Sequence, residues 1–219
     1  MPRKRVAILI SGRGSNMSAL IEAAKEQSFP AEIVVVIANR PDAGGLVSAR
    51  AAGIATAVVD HTAFAKDREG FERALQAAIE AHAADIVCLA GFMRLLTPSF
   101  VNRWQGRLIN IHPALLPAFK GLDTHEHALK SGTRIHGASV HFVVPEMDSG
   151  PIIAQAAVPV LDGDTPAALA ARVLAVEHRI YPLALRLLAE GRVRTVGNRC
   201  VIDGAPGADN TLLNPPEKT

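Results

Sequence analysis

Cysteine, aromatic side chains and net charge are all scarce in this sequence. Two cysteines in 219 residues cannot build a disulfide framework, so a reducing, cytoplasmic compartment is the expectation. Cys88 sits in the apolar run DIVCLAGF and is expected in a buried strand; Cys200 lies near the C-terminus. Lys and Arg number 23 against 21 Asp and Glu, a net charge of +2. With no basic block, neither nucleic acid nor a membrane surface is expected as a partner. The short PRKR cluster at 2–5 reads as a solvated terminus. No stretch approaches the roughly 20 apolar residues of a membrane span. VAILIS is too short for a secretory signal and runs straight into a Gly-rich turn, so the mature chain is expected to begin at or near Met1. Repeats and low-complexity linkers are also missing. What remains is an ordinary globular composition, 49% hydrophobic and 20% charged, able to form a sizeable core.

The elements alternate. RVAILIS (5–11) is a continuous apolar run, as expected of a strand buried on both faces. A helix follows over 15–25. EIVVVIAN (32–39) reads as a second strand, 43–52 as an Ala-rich helix and IATAVVD (54–60) as a third strand. Residues 67–82 carry helical periodicity, with Phe71, Leu75, Ala78, Ile79 and His82 on one side. Strands at 85–92 and 107–112 bracket a short helix beginning near Pro98 and capped by Thr97. Then the pattern changes. GASVHFVV (137–144) and GPIIAQAAVPV (150–160), joined by PEMDS, predict an antiparallel pair. Thr165 caps and Pro166 opens a long helix over 164–191, in which Pro182 predicts a bend or break. Residues 193–203 predict a hairpin turning at Gly197-Asn198, and 204–219 a mobile, Pro-rich tail. Together these predict a single domain over 1–219. It is an α/β fold: a mostly parallel twisted sheet with helices on both faces and an antiparallel C-terminal extension.

Three features carry chemistry. GRGSNMSAL (12–20) follows the first strand and opens a helix, an arrangement that favours an anion. Met17 stands where a dinucleotide fingerprint needs a third Gly, and there is no Walker Lys-Ser/Thr pair. The loop therefore suits one phosphate monoester on Gly14, Ser15 and Asn16; the plainer reading is a tight turn with a helix cap. The second feature is LINIHP (108–113). Asn110 and His112 point to one face of a strand that Pro113 ends. Two donors converging on one oxygen make an oxyanion hole, although a strand-end Asn and His more often satisfy backbone groups. The third is the loop PEMDSGP, whose Asp148 could orient the imidazole; Asp123, Asp162 and Asp164 compete with it on sequence grounds. His125 and His127 form an H-x-H pair without further ligands, so no metal is expected. His136 and His141 flank a strand and read as structural. Ser11 and Ser15 lack the setting of a hydrolase nucleophile.

Taken in order, LISGRGSN, LAGFMRLLTPSFV, LINIHPALLPAFKGLDTH, HGASVHFVVPEMDSGPII and EHRIYPLAL resemble the phosphoribosylglycinamide formyltransferase family over about residues 5–203. The resemblance implies a Rossmann-like formyltransferase fold with a phosphate-binding half (about 1–100) and a catalytic and folate half (about 101–203). It implies formyl transfer from 10-formyltetrahydrofolate to the glycinamide amine in purine biosynthesis, by a monomer or homodimer acting on small molecules. Asn110, His112 and Asp148 match the catalytic trio, and Gly14, Ser15 and Asn16 the ribotide-phosphate loop. Leu174, Ala175, Val176 and Glu177 match the segment meeting the glycinamide end. Folate positions are matched by Arg68, by Met93, Arg94, Leu95 and Leu96, by Asn110, and by Val144, Pro145, Glu146, Met147 and Asp148. AFKG departs from the Lys-Tyr-Pro-Gly-like sequence common there, with Lys120 as the nearby replacement charge. Relatives sharing the trio include a deformylase that uses water as acceptor and usually has an extra N-terminal domain. They also include a methionyl-tRNA formyltransferase with an added C-terminal domain. A nucleotide-sensing module without activity is the remaining alternative.

Overall fold

The computed structural model describes residues 2–204 and 214; most of the predicted tail at 204–219 lies outside the described residues. Two compact units emerge. The first comprises residues 1–110 and 142–145, the second 111–141 and 146–219.

In the first unit, β1 (Lys4–Ile10), β2 (Ala31–Ala38), β3 (Thr56–Val58), β4 (Ile86–Leu89) and the start of β5 (Leu108–His112) run parallel. Their order is β3-β2-β1-β4-β5. Chain direction across the sheet reverses between β1 and β4, and in such sheets ligands bind beyond the carboxyl ends of those strands. The order arises because β1 is apolar at every position from Val6 to Ile10, each fully buried, so it can only be a central strand. Ala7 and Leu9 join one core with Phe71, Leu75 and Ile79 of α3 (Arg68–Glu80) and with Phe100, Val101 and Trp104 at α4 (Pro98–Arg103). Val6, Ile8 and Ile10 are buried on the opposite face. Side chains of this size contribute about 1.5–3 kcal/mol each when fully buried. Trp104 stays satisfied inside the core by donating Nε1–H to Gln76 Oε1 at 2.8 Å. α1 (Ser15–Ala24) and α2 (Gly45–Ala51) complete this unit, with a short 3-10 turn at His61–Phe64 that the sequence did not signal.

The second unit contains α5 (Thr124–Lys130), β6 (Ile135–Phe142), β7 (Ile152–Pro159), α6 (Pro166–Ala189) and the hairpin β8 (Val193–Val196) and β9 (Arg199–Ile202). β6 and β7 are antiparallel, as are β8 and β9 around Gly197, whose φ of 60° suits the turn. Thr165 Oγ1 accepts from Ala168 N–H at 3.2 Å, capping α6. Pro182 does not break the helix: α6 runs on through it. Ile180, Tyr181, Ala184 and Leu185 around it are all buried, and that packing outweighs the one backbone bond Pro cannot make. No helix among the described residues is long and apolar enough to cross a membrane.

Candidate active site

The turn after β1 forms the first part of the candidate site. Gly14 has φ 73° and precedes α1, a left-handed conformation that costs an L-residue roughly 1–2 kcal/mol. The turn aims the N-terminal N–H groups of α1 outward, where an anion can meet them. Gly45 N–H holds the loop by donating to Gly12 O at 3.0 Å. A β-carbon at Gly45 would stand 3.2 Å from that oxygen and 3.3 Å from Arg13 O. A cavity of about 400 Å³ opens here, lined by residues 11–16 together with Asn39, Arg40, His61, Met93 and Arg94. Arg13, Arg94 and a helix N-terminus on one cavity favour an anion, while the Arg40 guanidinium is paired with Asp42 at 2.6 Å. Met93 and Arg94 share this wall with the loop at residues 12–16. Met93 and Leu95 are strongly exposed, Leu96 packs on the core, and Arg68 opens α3 on the surface. Asn110 is half-buried on β5, beside Leu89 of β4.

In the second unit β5 ends at His112, which is 5% exposed. The chain beyond it is pinned. Thr124 Oγ1–H donates to Pro113 O at 2.7 Å, Ser139 Oγ–H donates to Ala114 O at 2.7 Å, and Ser139 Oγ accepts from Leu116 N–H at 3.0 Å. His112 Nδ1 lies 3.5 Å from Asp148 Oδ2, an ion-pair distance rather than a short hydrogen bond. Its Nε2–H donates to Phe119 O at 2.9 Å. Asp148 has φ 49°, and its Oδ2 accepts from Gly121 N–H at 2.9 Å. A left-handed Asp is uncommon, though Asp and Asn tolerate it best. Two of the competing carboxylates are engaged elsewhere, and the third stands at the start of α5. Asp123 precedes α5 with φ 53°, Asp162 pairs with Arg134 at 2.7 Å, and Asp164 pairs with Arg172 at 2.7 Å. The Arg172 hydrogen bonds hold the Asp164 carboxyl below its usual range.

Two histidines depart from expectation. His136 and His141 lie inside β6 and are buried, not flanking it. His141 Nε2 stands 3.7 Å from Asp148 Oδ1, so one carboxylate faces two imidazoles. The register of β6 shifts between Val140 and His141, so strand alternation carried no signal for this placement. His136 makes edge contacts with His125 and Phe119, at ring-centroid distances of 5.3 and 5.7 Å. Burial pushes its pKa down to about 4. The unfolded chain therefore takes up a proton near pH 6.5 that the folded chain refuses until about pH 4. Stability is expected to fall as pH drops through that window, by up to about 1.4 kcal/mol per pH unit. Urea midpoints of His136→Phe between pH 4 and 7 should show a shallower acid slope than the parent; an unchanged slope contradicts the assignment.

Lys120 Nζ donates to Ser149 Oγ at 2.6 Å, across the loop that carries Asp148. Pro145, Glu146 and Met147 are exposed and Val144 is half-buried. Glu177 is buried on α6, following Leu174, Ala175 and Val176 on the same helix. Among the described residues no group of three or more His, Cys, Asp and Glu is placed to hold a metal ion.

The formyl transferase family matches residues 4–185. A phosphoribosylglycinamide formyltransferase of Escherichia coli (strain K12) is 48% identical over 199 residues, 91% of this chain and 93% of its own length. The trifunctional purine biosynthetic protein adenosine-3 of Bos taurus is 50% identical over 194 residues, which are 88% of this chain but only 19% of that protein. The crystal structure of glycinamide ribonucleotide transformylase 1 from Symbiobacterium toebii superimposes with a TM-score of 0.89 at 46% identity, covering 91% of this chain and 94% of that one.

Proposed function

The chain belongs to the formyl transferase family, and from that premise we propose that it transfers the formyl group of 10-formyltetrahydrofolate to the amine of phosphoribosylglycinamide. The observation that carries the reading is the Asp148 carboxylate 3.5 Å from His112, with Asn110 two residues earlier on the same strand. Asn110 donates an amide N–H and His112 its Nε2–H to the formyl oxygen, where charge grows as the amine attacks. His112 can do so only by exchanging its present acceptor, Phe119 O, for that oxygen. Asp148 orients the ring through Nδ1. The C–N bond to the glycinamide forms, the bond from the formyl carbon to the folate nitrogen breaks, and the amine proton passes to that nitrogen, relayed by Asp148 through water.

Gly14, Ser15 and Asn16 hold the ribotide phosphate, and residues 174–177 meet its glycinamide end. Folate lies along Met93–Leu96 and Val144–Asp148, with Arg68 beside it. The enzyme acts on small molecules as a monomer or homodimer in the cytoplasm, without nucleic acid, membrane or metal. The test is a product assay with formyl-labelled folate. Label should appear on the ribotide amine, one for each tetrahydrofolate released; label recovered as formate would instead mark a deformylase.

A further inference from the structure

We propose that Ser11 is a positioning residue that couples the ribotide-phosphate loop to the folate segment, so that each substrate tightens the binding of the other. The inference rests on the assignment of those two segments under the proposed function. Ser11 is the first residue after β1 and leads directly into Gly12–Asn16. Its backbone N–H donates to Gly91 O at 3.1 Å, and its Oγ accepts from Met93 N–H at 2.7 Å. One residue thus grips the chain beyond β4 at two points while forming the base of the phosphate loop.

The opposite end of the segment is fixed to α3 and has no tie to the loop. Thr97 N–H donates to Glu72 Oε1 at 2.6 Å, Thr97 Oγ1–H donates to the other carboxylate oxygen, and Glu72 is 6% exposed. Between these anchors Met93 is 67% exposed and Leu95 63%. Side chains that exposed contribute little packing to hold the backbone. The Met93 backbone N–H is thus held by the Ser11 hydroxyl, on the residue that opens the loop, while Phe92 and Leu96 on either side pack on the core. An anion that orders the loop orders the Ser11 acceptor with it. Folate then meets a segment already fixed and loses less conformational entropy on binding. By linkage the effect is reciprocal, and couplings of this kind are typically about 5-fold or more.

The experiment is calorimetric titration of the full chain with tetrahydrofolate and with phosphoribosylglycinamide, each alone and in the presence of the other. The parent should bind each ligand about 5-fold or more tightly when the other is present, with equal factors in both directions. In Ser11→Ala the factor should collapse toward one while thermal unfolding stays near that of the parent. Ser11→Thr, which keeps the hydroxyl acceptor, should retain the coupling. A parent without coupling, or a Ser11→Ala variant that keeps it, overturns the proposal. Ser15→Asp separates this failure from that of the underlying assignment. It sets a carboxylate against the phosphate and should abolish ribotide binding. If ribotide still binds, the loop is not the phosphate site and the coupling falls with it. If binding is lost yet Ser11→Ala keeps the coupling, only the role of Ser11 is wrong.

Discussion

Asp148→Asn is expected to lower kcat by up to about 10⁴-fold, the loss seen when the aspartate behind the histidine of a serine-protease triad becomes asparagine. The substitution is nearly isosteric. Asn accepts the left-handed backbone that Asp148 adopts at φ 49° about as readily as Asp does. With its carbonyl oxygen turned to Gly121 N–H it keeps the 2.9 Å bond that holds the loop. What disappears is the negative charge facing His112 at 3.5 Å and His141 at 3.7 Å. Folding should therefore survive, and the loss should appear in kcat with little change in either KM. Steady-state kinetics alongside a urea titration checks this. A folded Asp148→Asn enzyme with kcat within tenfold of the parent would remove the carboxylate from the mechanism.

The second large effect is expected at Asn110. On the proposed mechanism, replacing it with Ala would remove one of two donors to the formyl oxygen, and loss of a single such donor costs about 10²–10³ in kcat. The donor acts on charge that exists mainly in the transition state, so both KM values should change modestly. The position is half-buried in the middle of β5 and contributes no apolar side chain to the core, so stability should be little affected. An increase in folate KM with kcat preserved would turn Asn110 into a binding residue and leave His112 without its partner.

Much of this was legible before any coordinates. The parallel strands were, because strands buried on both faces read as unbroken apolar runs, and β1 and β2 are such runs. The cap at Thr97 was too: its Oγ1 accepts from Phe100 N–H at 3.3 Å. Asn110 and His112 stood out as polar residues interrupting a β pattern. The partner of His112 could not be read, since Asp148 is 36 positions away and three other aspartates competed with it until the fold brought Asp148 to the ring. His141 was passed over because one histidine in an apolar strand looks the same whether it fills space or faces a carboxylate. α5 was missed because seven residues, THEHALK, carry no usable apolar period and start from a left-handed Asp123. Pro182 misled for the opposite reason. A local rule predicted a break, and the buried side chains on either side hold the helix together.

The formyl donor is common to transfer and hydrolysis, so the acceptor decides between them. The direct measurement is the rate of tetrahydrofolate formation from 10-formyltetrahydrofolate, with and without phosphoribosylglycinamide, using the same enzyme preparation. Release is expected to be rapid with the ribotide and to fall to background in its absence, with one formylated ribotide per tetrahydrofolate. Release of formate at an equal rate without the ribotide would contradict this expectation.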